Sequence, residues 1–197
     1  MKEQRMMEVR AIQEPDNDEM IVEGYAVRFD EPTMLYEYEG TKYYEVIDRM
    51  ALDQADLSDV PFKYNHSDNV MIMARTRSKT LKLSIDDRGL FIRASLANTT
   101  GGRDLYELIK RGDIDKMSFA FTVREDSYDR ETRTRTIRSI DKLWDVAAVE
   151  TPAYDTTSIS ARSFFDLERE KERKALESAE LQKRLKAKTK LLRMRGI

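Results

Sequence analysis

The chain has no cysteine and a single histidine. Disulfides, thiolate metal sites and a cysteine nucleophile are therefore excluded, and so is a metal held by several imidazoles. No apolar run approaches the roughly 20 residues needed to span a bilayer. Met1-Lys-Glu-Gln-Arg-Met-Met-Glu8 lacks the apolar centre of a signal peptide, so neither a membrane nor an export route is expected. Acids and bases nearly cancel to a net charge of −2, which gives no global case for a nucleic-acid partner. Gly101-Gly102 is too sparse for a phosphate loop, a Gly-x-Ser-x-Gly elbow is missing, and no cofactor is expected.

What is present is a chain of 197 residues, 40% hydrophobic and 37% charged, enough for one ordinary domain with an ionic surface and an appendage. The most telling stretch is 111–123. Met117, Phe119, Phe121 and Val123 alternate with Ser118, Ala120 and Thr122, the period of a strand with one buried face. The other face carries a hydroxyl among small residues, where something must approach closely. Residues 19–29, 43–47, 60–66, 70–76, 80–85, 90–96, 132–140 and 143–149 also read as strands, and Arg124 to Arg130 as a polar turn. Asp86-Asp87-Arg88-Gly89 is a hairpin turn. Two short helices are predicted, Asp48 to Leu57 and Asp104 to Arg111, the second stopped by Gly112. The fold class is mainly β with helices. Hairpin-length loops predict an antiparallel sheet, and closure into a barrel would remove its exposed edges.

From Ser163 the composition changes. Phe164 to Arg195 holds no glycine or proline, and leucines recur at helical spacing among charges. The expected organisation is a domain over 1–162 and a charged helical extension over 163–197. Such a helix can pair with a second copy or another helix, or dock on a partner surface; a solvated extension is the alternative.

His66, Ser118 and a later carboxylate are the candidates for chemistry. A serine hydroxyl attacks well only when a base within hydrogen-bond reach takes its proton, and imidazole suits that task. A third group fixes the ring tautomer. Asp145 and Glu150 compete for that role, since a carboxylate in so apolar a strand is costly without a partner. Alternation places Asp145 with Leu143, Ala147 and Val149, and Glu150 with Trp144, Val146 and Ala148. The plainer reading makes His66 a loop residue and Asp145 an ion-pair partner of Arg75 or Arg138.

Five blocks occur in order: Asn65-His66-Ser67; Asp86 to Leu90; Gly102-Arg-Asp-Leu-Tyr-Glu-Leu-Ile-Lys-Arg-Gly112; Met117-Ser-Phe-Ala-Phe121; and Asp145-Val-Ala-Ala-Val-Glu-Thr-Pro-Ala153. With Gly24-Tyr25-Ala26 and Glu45-Val46-Ile47, they resemble the prohead (maturation) serine protease family of tailed bacteriophages over roughly residues 20–160. The resemblance implies a fold similar to the herpesvirus assemblin proteases, an antiparallel barrel surrounded by helices. It implies Ser118 as nucleophile, His66 as base and an acidic third residue. Asp145-Val146-Ala147 stands at the block that usually begins Glu-Val-Ser, which supports Asp145, while Glu150 keeps the choice open. Ala120 replaces a usual glycine after the nucleophile, and Ala74 replaces one before Arg75.

The resemblance further implies an endopeptidase acting inside the procapsid, in the host bacterial cytoplasm. Its substrates and docking partners would be the major capsid protein's scaffolding segment or a separate scaffold, and the protease itself. Thr156 to Arg162 is a flexible stretch where self-cleavage is expected. Two competing readings are a non-catalytic capsid- or scaffold-binding assembly protein, and nucleic-acid binding by the basic Lys183-to-Arg195 segment, which the overall charge disfavours.

Overall fold

A computed structural model describes residues 2–12, 19–69, 71–150 and 157–194. Contacts divide the chain into two units, 1–160 and 161–197. The elements begin with β1 (Lys2–Glu8), β2 (Arg10–Ile12), β3 (Ile21–Arg28), β4 (Thr33–Tyr38), β5 (Thr41–Ile47) and β6 (Pro61–Tyr64). There follow β7 (Ala74–Arg75), β8 (Leu81–Asp86), β9 (Gly89–Ser95), α1 (Thr100–Arg111), β10 (Lys116–Asp129), β11 (Thr134–Val149) and α2 (Thr157–Met194).

Among the described residues the strands form two sheets, the larger of them mixed, and no closed antiparallel barrel is found. The larger runs β1-β10-β11-β5-β4, with β6 on β11 and β7 on β6; the smaller runs β2-β3-β9-β8. Both contribute to one apolar core, where Val22, Val27, Leu90 and Ile92 meet Met117, Phe119, Phe121 and Ile137. The larger sheet is mixed because of β11: β10 pairs along its full length on one edge, while on the other it outruns β5 and β6, which share that edge. β5 pairs in parallel along Thr134 to Ile137, Asp56 bridges Lys142, and β6 pairs in parallel along Val146 to Ala148. The stretch 48–60 carries the chain onward along that same edge, from β5 past the Asp56 bridge to β6.

That connection is not the helix its composition predicts. It is a run of tight turns, with Ala51 N–H donating to the Asp48 carbonyl at 2.9 Å and Ala55 N–H to the Leu52 carbonyl at 3.1 Å. Ala51 and Leu52, adjacent in sequence, are the pair buried there, while Met50 is exposed. Helical spacing among small and apolar residues therefore did not describe one buried face. Of 70–76 only Ala74–Arg75 pairs as a strand, and Val70 lies outside the described residues. Of the polar turn predicted at 124–130, residues 124–129 are strand, and the strands predicted at 132–140 and 143–149 merge into one continuous β11 from Thr134. The hairpin turns at 130–133 instead, with Arg133 at φ 55°. α1 begins earlier than predicted, because Thr99 caps it by accepting from the Gly102 N–H at 3.1 Å. Gly112 ends it at φ 81°.

β1 and β2 are not foreseen by hydrophobic pattern, because β1 turns charges inward. Glu3, Arg5, Glu45 and Arg135 are all buried and form one network across β1, β5 and β11. Arg135 donates to both Glu3 carboxylate oxygens, at 2.9 and 3.0 Å, and to Asp126 at 2.6 Å. Arg5 donates to Glu3 at 2.7 Å and lies 5.5 Å from the Phe121 ring centroid. Burial alone would raise the Glu3 carboxyl, but the Arg5 charge and the Arg135 hydrogen bonds more than reverse it, holding it below its ordinary range. Buried charges are tolerable only when so compensated.

The second unit is the greater part of α2. The helix starts at Thr157, so 157–162 is helical rather than a flexible connector; Thr156 lies outside the described residues. Leu176, Leu181 and Leu185 are exposed along it. Pairs such as Glu180–Arg184 at 2.7 Å and Arg173–Glu177 at 2.9 Å each stabilise it by a few tenths of a kcal/mol. Hydrogen bonds from Arg173 and Lys174 pull the Glu170 carboxyl down to about 2. Among the described residues no helix is long and apolar enough to cross a membrane.

Candidate active site

β10 lies between β1 and β11, and the registers fix which side chains share a face. Ser118 is opposite Ala147 and Ala120 opposite Asp145, whereas Met117, Phe119 and Phe121 face Ala148, Val146 and Leu143. The second set belongs to the apolar core; Ser118, Ala120, Asp145 and Ala147 are buried without joining it. Directly opposed residues project to one side, so Ser118 and Asp145 sit diagonally on one sheet face. Between β10 and β11 their partners are alanines, and on its other edge Ser118 stands opposite Met6 of β1.

This arrangement depends on an irregularity. Ala120 pairs with Asp145 and the next residue, Phe121, with Leu143, so Trp144 has no partner and forms a bulge. The bulge reverses the phase of β11. Leu143 faces the core with Val146 and Ala148, contrary to the simple alternation that groups it with Asp145. Trp144 is left half-exposed, its indole N–H donating to Thr122 Oγ1 at 2.7 Å.

His66 reaches the same strand from the other side. β6 lies beside β11 in parallel, with Lys63 opposite Ala147 and Tyr64 opposite Ala148. Two residues later the His66 ring hydrogen-bonds through Nδ1 to Asp145 Oδ1. A carboxylate can only accept, so Nδ1 carries the proton, and a ring in that tautomer has its acceptor at Nε2. Asp145 is 1% exposed, a burial that a carboxylate tolerates only with partners. His66 Nε2 and Ser118 Oγ are both buried and have no hydrogen-bond partner among the described residues. Two unsatisfied polar atoms of complementary type call for an explanation.

Glu150 stands at the end of β11, exposed; its backbone N–H, not its carboxylate, is engaged, donating to Asn65 Oδ1 at 3.1 Å. The alternative partners of Asp145 are occupied elsewhere. Arg75 donates to Asp59 at 2.7 Å and Arg138 to Ser127 Oγ at 3.0 Å. In the sequence Asn65 stands within the Asn65-His66-Ser67 block, with no role of its own assigned. A usable signal was there, since asparagine is among the few side chains that tolerate left-handed backbone.

No curated protein matches the chain. Among solved structures, the capsid assembly protease of bacteriophage T4 is similar over 77% of this chain and 99% of its own, at 12% identity and a TM-score of 0.48. The sequence model of the caudovirus prohead serine proteases matches residues 5–171, a span holding α1, every strand but the first residues of β1, and the His66, Ser118 and Asp145 positions. The chain is a member of that family, the caudovirus prohead serine proteases.

Proposed function

We propose that hydrolysis is carried by Ser118 as nucleophile, His66 as general base and Asp145 as the group that orients the ring and offsets its charge. The observation that supports this most directly is the His66 Nδ1–Asp145 hydrogen bond beside a buried, unpartnered Ser118 hydroxyl. In the forward step the Ser118 Oγ–H proton passes to His66 Nε2 as Oγ attacks the scissile carbonyl. The tetrahedral oxyanion collapses, the C–N bond breaks, and the leaving amine takes the proton from Nε2. Water then attacks the acyl-enzyme with the same base. Asp145 stays ionised throughout and stabilises the imidazolium. Catalytic hydrogen bonds often tighten only with substrate in place, so the absence of an Oγ–Nε2 bond in the free enzyme is consistent with this route.

The substrates proposed are the scaffolding segment of the major capsid protein, or a separate scaffold, and the protease itself, within the procapsid. Self-cleavage at 157–162 would require that first stretch of α2 to unwind, because a helical peptide bond does not fit a cleft that takes extended chain. The test is Ser118→Ala, incubated with the cognate capsid protein and scaffold, with new termini mapped by mass spectrometry. Cleavage is expected to vanish while the thermal melt is unchanged. Undiminished proteolysis by the folded variant would refute the assignment.

A further inference from the structure

The segment that delivers His66 is strained, and the strain has a visible counterweight. Asn65 and His66 have φ of 49° and 53°, the only consecutive non-glycine residues in the left-handed region among the described residues. Ser67 N–H donates to the Tyr64 carbonyl at 3.0 Å, closing a four-residue turn with both central residues at positive φ. Such turns favour asparagine followed by glycine. Here the glycine position holds a histidine, whose Cβ makes left-handed backbone unfavourable. Strain of this kind persists only where the surroundings over-determine it.

Three contacts could do so. Asn65 N–H donates to the Ala148 carbonyl at 2.9 Å, extending the β6–β11 ladder by one residue. Asn65 Oδ1 accepts from the Glu150 N–H at 3.1 Å. Lys63 Nζ pairs with Asp68 beyond the turn, but the Asp68 side chain is 89% exposed, and an ion pair so open to solvent holds little. The two Asn65 bonds remain. Both go to β11, the strand whose Asp145 receives the His66 ring. Asn65 thus fastens the backbone of the turn to the same strand that fastens the imidazole, and a shift of one relative to the other is blocked.

We infer that Asn65 is a positioning residue for the protease: its side chain, clamped to the end of β11 while its backbone adopts left-handed φ, holds His66 Nε2 at the nucleophile. The inference rests on the assignment of His66 as base and goes beyond it. Asn65 touches neither substrate nor the reacting atoms, so activity alone cannot test it. The chain's single histidine makes a second readout available. In a Ser118→Ala background, chosen to suppress self-cleavage, the Nδ1 proton shared with Asp145 is expected to give one downfield imidazole signal in the NMR spectrum, with no second histidine to compete.

Asn65→Ala removes the acceptor and the left-handed tolerance together. It is expected to broaden or abolish that signal and, in the active enzyme, to lower kcat by ~10- to 100-fold with KM little changed. Asn65→Asp keeps both properties and is expected to restore the signal and most of kcat. Asn65→Gly keeps the backbone freedom without the acceptor, and it guards against an alanine variant that fails to fold; it is expected to show a weakened signal and a kcat loss between the other two. An unaltered signal and unaltered kcat in the alanine or glycine variant would overturn the inference. The NMR arm is independent of whether Ser118 is the nucleophile, so failure there is distinguishable from retained cleavage by Ser118→Ala.

Discussion

Replacing Asp145 by asparagine separates the two acids near His66 and tests the charge arrangement directly. As Ser118 attacks, the ring takes a proton, and a positive charge develops in surroundings where Asp145 is 1% exposed. At an ordinary hydrogen-bond separation of about 3 Å and an effective dielectric near 20, the carboxylate stabilises that charge by about 5 kcal/mol. Each 1.36 kcal/mol is tenfold in rate, so complete loss corresponds to ~10⁴. Asparagine adds a second fault. Its amide can donate to Nδ1, which moves the ring proton to Nε2 and leaves no acceptor for the Ser118 hydroxyl. A fall in kcat of ~10³ to 10⁴ is expected, with KM within about threefold. The assay is initial-rate hydrolysis of a fluorogenic peptide carrying a mapped cleavage site, with thermal melts run alongside to show that the variant is folded. Glu150→Gln, altering an exposed side chain, is expected to keep kcat within about twofold. An asparagine variant retaining more than about a tenth of wild-type kcat, or a Glu150→Gln loss as large as that of Asp145→Asn, would defeat the reasoning.

Two further predictions concern the frame around the nucleophile strand. Glu3→Gln leaves Arg135 and Arg5 short of one buried counter-charge and is expected to cost about 3 kcal/mol near neutral pH. Because the folded Glu3 carboxyl lies below its ordinary 4.5, its stabilisation is complete above that value and is lost as pH falls below it. The melting-temperature gap between wild type and variant is therefore expected to shrink from about pH 6 towards about pH 3; a gap constant with pH would contradict the network's role. Gly24→Ala would put a Cβ 2.4 Å from the Glu8 carbonyl oxygen and 3.3 Å from Met117 Cε. Backbone must move to admit it, so a loss of about 2 kcal/mol or more is expected in urea unfolding, and a variant as stable as wild type would show that β1 and β3 are not tightly opposed there.

The parts legible in sequence were those with local signatures. The β8–β9 hairpin follows from Asp86, whose carboxylate accepts from the Arg88 and Gly89 N–H groups, with Gly89 at φ 155°. The end of α1 follows from Gly112, and the Ser118 strand from its alternation. Ser118, His66 and Asp145 were legible as types, and the family resemblance ranked them. What stayed hidden has non-local causes. β1 faces the core with Glu3 and Arg5, and their burial makes sense only once Glu45 and Arg135, 42 and 132 residues beyond Glu3, are seen to meet them. The parallel pairs of β11 with β5 and β6 involve segments with no hairpin signal between them. The continuity of β10 and β11 through 124–140 was obscured because that part of the hairpin is largely polar in sequence; one of its buried positions is Arg135, so burial there leaves no apolar alternation to read.

The unpaired Trp144 is a residue the ladder would close without. Were it deleted, Leu143 and Asp145 would become neighbours and keep the partners they have, Phe121 and Ala120, so the carboxylate would stay on the nucleophile's face. Loss of a paired neighbour such as Val146 is different in kind, because a slip of one place turns either the acid or the residues beyond it to the opposite face. The length of this strand is thus dispensable at one place and fixed on either side of it.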